Sequence, residues 1–171
     1  MAIRDIVKYG DPRLVARNEP LVAFDDPGLP GLIRDLLDTC WAAPGLGLAA
    51  PQIGVNKRVA VVDLSVGKDP SQVIVLVNPV VADAGGLIRD EEGCLSFPDI
   101  TELVERPERV TLEAFDEKGL KRTLDATDLL ARAFCHEVDH LDGRLFIERM
   151  SSLKRGFVLR RVLKRKRQGA W

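Results

Sequence analysis

The first strongly patterned stretch of the chain is residues 28–42, where Leu32, Ile33, Leu36, Leu37 and Cys40 recur every three to four positions and predict an amphipathic helix. Two short runs rich in β-branched residues follow, 58–64 and 73–77, and read as buried strands. Residues 104–106, 110–115 and 122–124 read as further strands, the last two joined by a turn at Asp116-Glu117-Lys118-Gly119. A second helix is expected from about residue 125. Asp125 is placed to cap it with Asp128 three residues on, Leu129, Leu130, Ala133 and Phe134 supply apolar spacing, and Gly143 is a suitable stop. A third helix is expected within 151–171, with Leu153 and Phe157 forming an apolar stripe beside Arg160, Arg161 and Lys164. Strands thus cluster between helices and do not alternate with them. This predicts an α+β fold: a compact single domain over residues 1–171, its mainly antiparallel sheet packed around the second helix.

Composition narrows the class. With 171 residues, 46% hydrophobic and 30% charged, the chain reads as an ordinary soluble globular protein with a core of its own. No apolar run reaches the length of a membrane span, and the opening residues lack the apolar core of a signal peptide. No membrane partner is therefore expected, and three cysteines without disulfide-framework spacing agree with a reducing, cytoplasmic setting. Charge is segregated. Residues 151–171 hold eight basic side chains and no acid, so with the whole chain at −1 the first 150 residues carry −9. Solubility alone would explain the basic helix, as would contact with phosphates.

The chemistry concentrates in His136-Glu137-Val138-Asp139-His140, which uses both histidines of the chain. Residues i and i+4 share a helix face, so the two imidazoles can grip one metal ion, and Glu137 can act as general base on a water at that metal. The alternative is a solvated helix face with coincidental spacing. A catalytic site of this kind usually has a third protein ligand. A histidine six residues past His140 is excluded, since Phe146 stands there, and Glu148 lies too close in sequence to serve as a downstream ligand. Among the cysteines, Cys135 points about 100° away from His136 around the helix, and Cys40 reads as a buried structural thiol. Cys94 follows Glu91-Glu92-Gly93 in what reads as a turn-to-strand setting suited to presenting a side chain. Gly45-x-Gly47-x-x-Ala50 matches a loose dinucleotide-binding pattern. Its context, a helix before and Pro51 after, argues instead for a glycine-alanine turn that lets backbones approach closely.

Gly45-Leu46-Gly47-Leu48-Ala49-Ala50-Pro51-Gln52, Glu92-Gly93-Cys94-Leu95-Ser96 and the HEVDH stretch occur in an order and separation that resemble the peptide deformylases. The resemblance covers nearly the whole chain. It implies a hydrolase that removes the N-formyl group from formyl-methionine at the start of new peptides. Cys94, His136 and His140 would hold a divalent metal, with iron expected in cells and zinc, nickel or cobalt as possible replacements. Glu137 would move the proton, while the Gln52 side chain and the Leu95 N–H would form an oxyanion hole. Leu46 and Gly47 would bind substrate, Gly47 through its backbone, and Asp139 with Arg106 would steady the metal helix. The basic helix would rest on ribosomal RNA without sequence-specific reading, and deleting residues 160–171 would leave activity on small formylated peptides largely intact. Two rival classes are a zinc endopeptidase of the HExxH type and a metal-stabilised binding module without activity.

Leu129, Arg132 and Ala133 lie seven, four and three residues before His136 and so share its helix face, where they should line the pocket for the methionine side chain. A charge in an apolar pocket needs a partner. Arg132 is therefore expected to pair with Asp90 at the pocket rim, offering its methylene stem to methionine. Its alternative is to point into solvent.

Overall fold

All four residues of strand β2 (Val59–Val62) are buried, yet they divide between two apolar clusters. Val59 and Val61 pack with Leu29, Leu36 and Cys40, whereas Ala60 and Val62 pack with Phe134, Cys135 and Val138. Successive strand residues face opposite sides, so this sheet is covered on both. Helix α1 (Leu29–Ala42) lies on one face and helix α2 (Asp128–Leu141) on the other. The computed structural model describes residues 3–169 and 171.

The sheet has five antiparallel strands in the order β1 (Gly47–Ala49), β2, β3 (Ile74–Gly85), β6 (Arg109–Phe115) and β7 (Lys121–Thr127). A separate antiparallel hairpin pairs β4 (Ile88–Gly93) with β5 (Thr101–Arg106). The expected α+β architecture is present. Several strands exceed their expected bounds, because ladder pairing carries them through polar sequence. β3 continues from 77 to 85 along β6, with register shifts at Val77/Val80 and Val81/Asp83 and Asn78 at φ +51°. The glycine stretch is also more than a turn. Gly47 pairs with Val62 in the sheet, and a 3-10 turn over Ala50–Ile53 follows.

Helix α2 begins later than its sequence suggests. Asp125 does not cap it: that residue is held in β7 opposite Thr111, whose hydroxyl donates to its carboxylate at 2.6 Å. The ladder with β6 runs to Thr127, and the chain enters the helix through Asp128 at a left-handed φ of +53°. The other end is as expected. Gly143 adopts φ +70°, and a side chain there would meet the Val15 carbonyl oxygen at 3.1 Å. Asn18 supports this end by donating to the carbonyls of His140 and Leu141.

Helix α3 (Ser152–Arg167) carries the basic residues, but its buried stripe is not the expected one. Val158 and Val162 are buried, while Leu153 is 69% and Phe157 55% exposed. The helix is rotated so that its valines meet Phe97, Ile100 and Phe146, and Arg161 and Arg165 reach Glu102 and Asp99. Phe157 lies outside this contact, with the Arg160 guanidinium 4.5 Å from its ring centre. Among the described residues, no helix is long and apolar enough to cross a membrane.

Candidate metal centre and catalytic cleft

Two clusters meet at the metal candidates. α2 presents Ala131, Phe134, Cys135, Val138 and Leu141 to the sheet. The rest of its circumference faces the hairpin and an open cleft of about 990 Å³. Arg132, Ala133, His136 and Glu137 line that cleft together with Leu129, Leu46, Gly47, Gln52, Cys94 and Leu95. The expected catalytic and substrate-binding residues, with Cys94 and His136, therefore border one cavity, whereas His140 and Asp90 are not among its lining residues.

Cys94, His136 and His140 offer ligand atoms that all lie within 4.8 Å of one another. The Cys94 thiol sits 3.3 Å from His140 Nε2. Cys94 lies just after β4, at the start of a tight loop in which the Phe97 N–H donates to the Cys94 carbonyl at 2.7 Å. The setting is thus strand-to-turn, the reverse of the expected order, because the polar run before it pairs with β5. Cys135 turns toward the sheet, and the buried Cys40 thiol donates to the Gly45 carbonyl at 3.2 Å. Burial pushes the Cys40 thiol up to about 12, and Glu137 adds to the effect. One sulfur and two imidazoles suit a borderline-soft divalent ion, so the donor set fits a metal.

Glu92 aligns this set. Its Oε1 accepts from His136 Nδ1 at 2.7 Å and from Arg106 Nη2 at 2.6 Å. Its Oε2 accepts from Arg106 Nε at 3.0 Å and from Arg132 Nη1 at 2.9 Å. With Nδ1 occupied, His136 turns Nε2 toward Cys94 and His140. Burial alone would raise the Glu92 pKa, but its hydrogen bonds from Arg106 and His136 outweigh that and hold it well below the usual carboxylate range. Arg106 continues the chain to Asp139 at 2.5 Å, and Asp139 is also gripped by Arg149. The Arg106–Asp139 pair is buried, Arg106 to 1% exposure, and is no surface ion pair.

Arg132 does not pair with Asp90. Its guanidinium points inward to Glu92 and to the carbonyls of Val104 and Ile88, while Asp90 is exposed and its carboxylate accepts from the neighbouring Glu91 N–H. Asp90 and Glu92 share one face of β4, and of the two it is Glu92, at the end of the strand nearer Cys94, that is buried against the helix. Sequence reasoning had also left Glu92 and Arg149 without roles. An acid two positions before a thiol ligand candidate, in a run with two further acids, carries no signal of which one turns inward.

Glu137 is buried, and one of its oxygens, Oε2, has no hydrogen-bond partner. Burial raises its pKa to about 7, with Glu92 adding to the shift and His136 opposing it. A Cβ on Gly47 would sit 2.6 Å from Glu137 Oε1, so only glycine lets β1 pass this carboxylate. Gln52 is anchored by the Ala49 N–H on its Oε1 at 2.9 Å and extends Nε2 to Ser96 Oγ at 3.3 Å and to the Cys94 thiol at 3.7 Å. A thiol with two imidazoles, a buried carboxylate and an amide donor thus converge at one end of a cleft walled by β1, the hairpin and α2. Such a set can hydrolyse an amide.

Comparison with known proteins agrees. The family model for polypeptide deformylase matches residues 3–156. A peptide deformylase of Acidobacterium capsulatum is 50% identical over 171 residues, covering all of both chains. One from Nitrosococcus oceani is 43% identical over 99% of this chain and all of its own. Among solved structures, a peptide deformylase from Legionella pneumophila superposes with a TM-score of 0.90 at 42% identity, covering 99% of this chain and 98% of that one. The Thermus thermophilus enzyme gives 0.87 at 41%, covering 93% and 92%. With matched motifs, fold and full-length relatives in agreement, this chain belongs to the peptide deformylase family.

Proposed function

We propose that this protein removes the formyl group from the N-terminal formyl-methionine of new peptides, releasing formate, through one catalytic domain spanning residues 1–171. The observation that carries the reading is the placement of a buried Glu137, its pKa raised to about 7, beside the Cys94, His136 and His140 cluster at the closed end of a peptide-sized cleft. Cys94, His136 and His140 are the metal ligands, and the ion, when bound, supplies Lewis acidity toward water and toward a carbonyl oxygen. Ferrous iron is the expected ion, with zinc, nickel and cobalt as replacements.

The chain's own groups then have defined tasks. Glu137 accepts a proton from the attacking water and delivers it to the departing amine nitrogen, tasks suited to a carboxyl group with a pKa near neutrality. Gln52 Nε2 and the Leu95 N–H donate to the developing oxyanion. Gly47 and Leu46 align the peptide backbone along β1. Leu129, Ala133 and the stem of Arg132 receive the methionine side chain, and Glu92 fixes the guanidinium away from it. Arg106 and Asp139 steady the metal helix. The exposed basic face of α3 rests on ribosomal phosphate, and the protein works in the cytoplasm.

A zinc endopeptidase needs a third His or Glu ligand, and a closed binding module needs a fourth protein ligand. Among the described residues, Cys94 is the one additional His, Cys, Asp or Glu gathered with the two histidines. The test is formate release from a formyl-Met tripeptide, measured beside casein cleavage. Formate with intact casein supports the reading; casein cleavage without formate, or neither, rejects it.

A further inference from the structure

Two of the three proposed metal ligands stand on a helix packed against the sheet, but Cys94 comes from a loop. That loop is held from outside. Asp99 within it has φ +55°, a backbone conformation that costs energy in any residue but glycine. Arg165 of α3 reaches its carboxylate at 2.5 Å. Phe97, in the same loop, stacks against Tyr9 with ring centres 4.8 Å apart and meets Trp171 edge-on at 6.2 Å. Tyr9 is tied on both sides. Its N–H donates to the Ser96 carbonyl at 2.9 Å, and its own carbonyl accepts from Lys166 Nζ at 2.9 Å and Trp171 Nε1 at 3.3 Å. Val158 and Val162 complete the contact in one apolar cluster with Cys94, Phe97 and Ile100.

We infer that Arg165 and Trp171 are positioning residues for the thiolate ligand: they clamp the 94–100 loop between the N-terminal segment and the C-terminal helix. The inference rests on Cys94 being a metal ligand. Ordering this loop before the ion arrives removes an entropic cost that binding would otherwise carry. Helix α3 is then part of the metal site's scaffold, in contrast to the sequence-based expectation that deleting residues 160–171 leaves small-peptide chemistry largely intact.

The test uses the full-length protein loaded with cobalt, whose thiolate-to-metal absorption reports the sulfur–metal bond and whose release to a chelator can be timed. Arg165→Ala should speed release by up to about fivefold, the limit for an exposed ion pair. Trp171→Ala should speed it by up to about tenfold, the limit for an aromatic pair beyond its burial. The double variant should exceed either and shift or weaken the absorption band. Arg160→Ala, on the exposed face over Phe157, should leave both unchanged. A double variant that melts cooperatively yet keeps the wild-type band and releases cobalt within about twofold of the wild-type rate overturns the clamp. A wild-type protein with no thiolate band overturns the ligand assignment and the clamp with it, so the two failures are distinguishable.

Discussion

Replacing Glu92 by glutamine tests the buried charge chain most severely. The carboxylate receives four hydrogen bonds, two from Arg106 and one each from Arg132 and His136, at 2.6–3.0 Å. Glutamine preserves the volume but offers one acceptor oxygen, and its amide would turn two donors toward donors already in place. Two bonds and one charge are lost, leaving the guanidinium of Arg106, 1% exposed, against Asp139 alone. Breaking a buried pair in this way costs about 3–5 kcal/mol, a large share of the 5–15 kcal/mol that stabilises a typical domain. Urea unfolding of metal-free protein would read that loss. His136 would also lose the acceptor that orients its ring, so metal affinity measured by chelator competition should fall about 10–100-fold. The pH dependence follows from sign. Glu92 has a depressed folded-state pKa, so its contribution is present above the unfolded value near 4.5 and is lost as pH falls below it. The variant should therefore show a shallower loss of stability in acid than the wild type. A destabilisation under about 1 kcal/mol with metal affinity within threefold would refute the reading of Glu92 as the hub.

Gly47→Ala would place a Cβ 2.6 Å from Glu137 Oε1 and should cut kcat by about 100-fold while the fold persists, as measured by steady-state kinetics beside a melting curve; near-normal kcat would show that the carboxylate can give way. Asp128→Gly removes a left-handed backbone cost at the entry to α2 and should raise stability by about 0.5–1 kcal/mol in urea, whereas a loss would mean that the aspartate side chain holds the helix start. The Glu137 pKa, raised by burial to about 7, should set the acid limb of kcat/KM, shifted downward by a bound cation, because only the carboxylate can accept a proton. An acid limb that is the same in Glu137→Gln as in the wild type would exclude Glu137 as the base.

Much of this site was legible in the sequence because its parts are local. Two histidines one helical turn apart, a base between them, and a glycine stretch ending in Gln52 need no tertiary knowledge to suggest one centre. The thiol was harder. Cys94 emerged from the resemblance and from eliminating Cys40 and Cys135, while its strand went unrecognised because Ile88–Gly93 is almost wholly polar and is a strand only through pairing with β5. The pairing sets Glu91 apart but leaves Asp90 and Glu92 on one face, and only the packing against α2 selects Glu92, so the Arg132 partner was assigned two residues too early. Helix α3 shows the other limit. Its spacing admits several faces, and only the acids at 99 and 102 and the aromatic cluster below select Val158 and Val162 for burial. Asp125 misled for a related reason: a good cap in isolation is a strand residue when the ladder with β6 continues past it.

The most direct measurement pairs metal content with formate release for wild type and Glu137→Ala, both purified anaerobically and loaded with ferrous iron. The expected result is one metal per chain in both proteins and release of formate from a formyl-Met peptide by the wild type, with the variant slower by about 10²–10⁴-fold, the usual worth of a general base. Equal activity in the two proteins, or a metal-loaded wild type that releases no formate, would contradict the proposed chemistry.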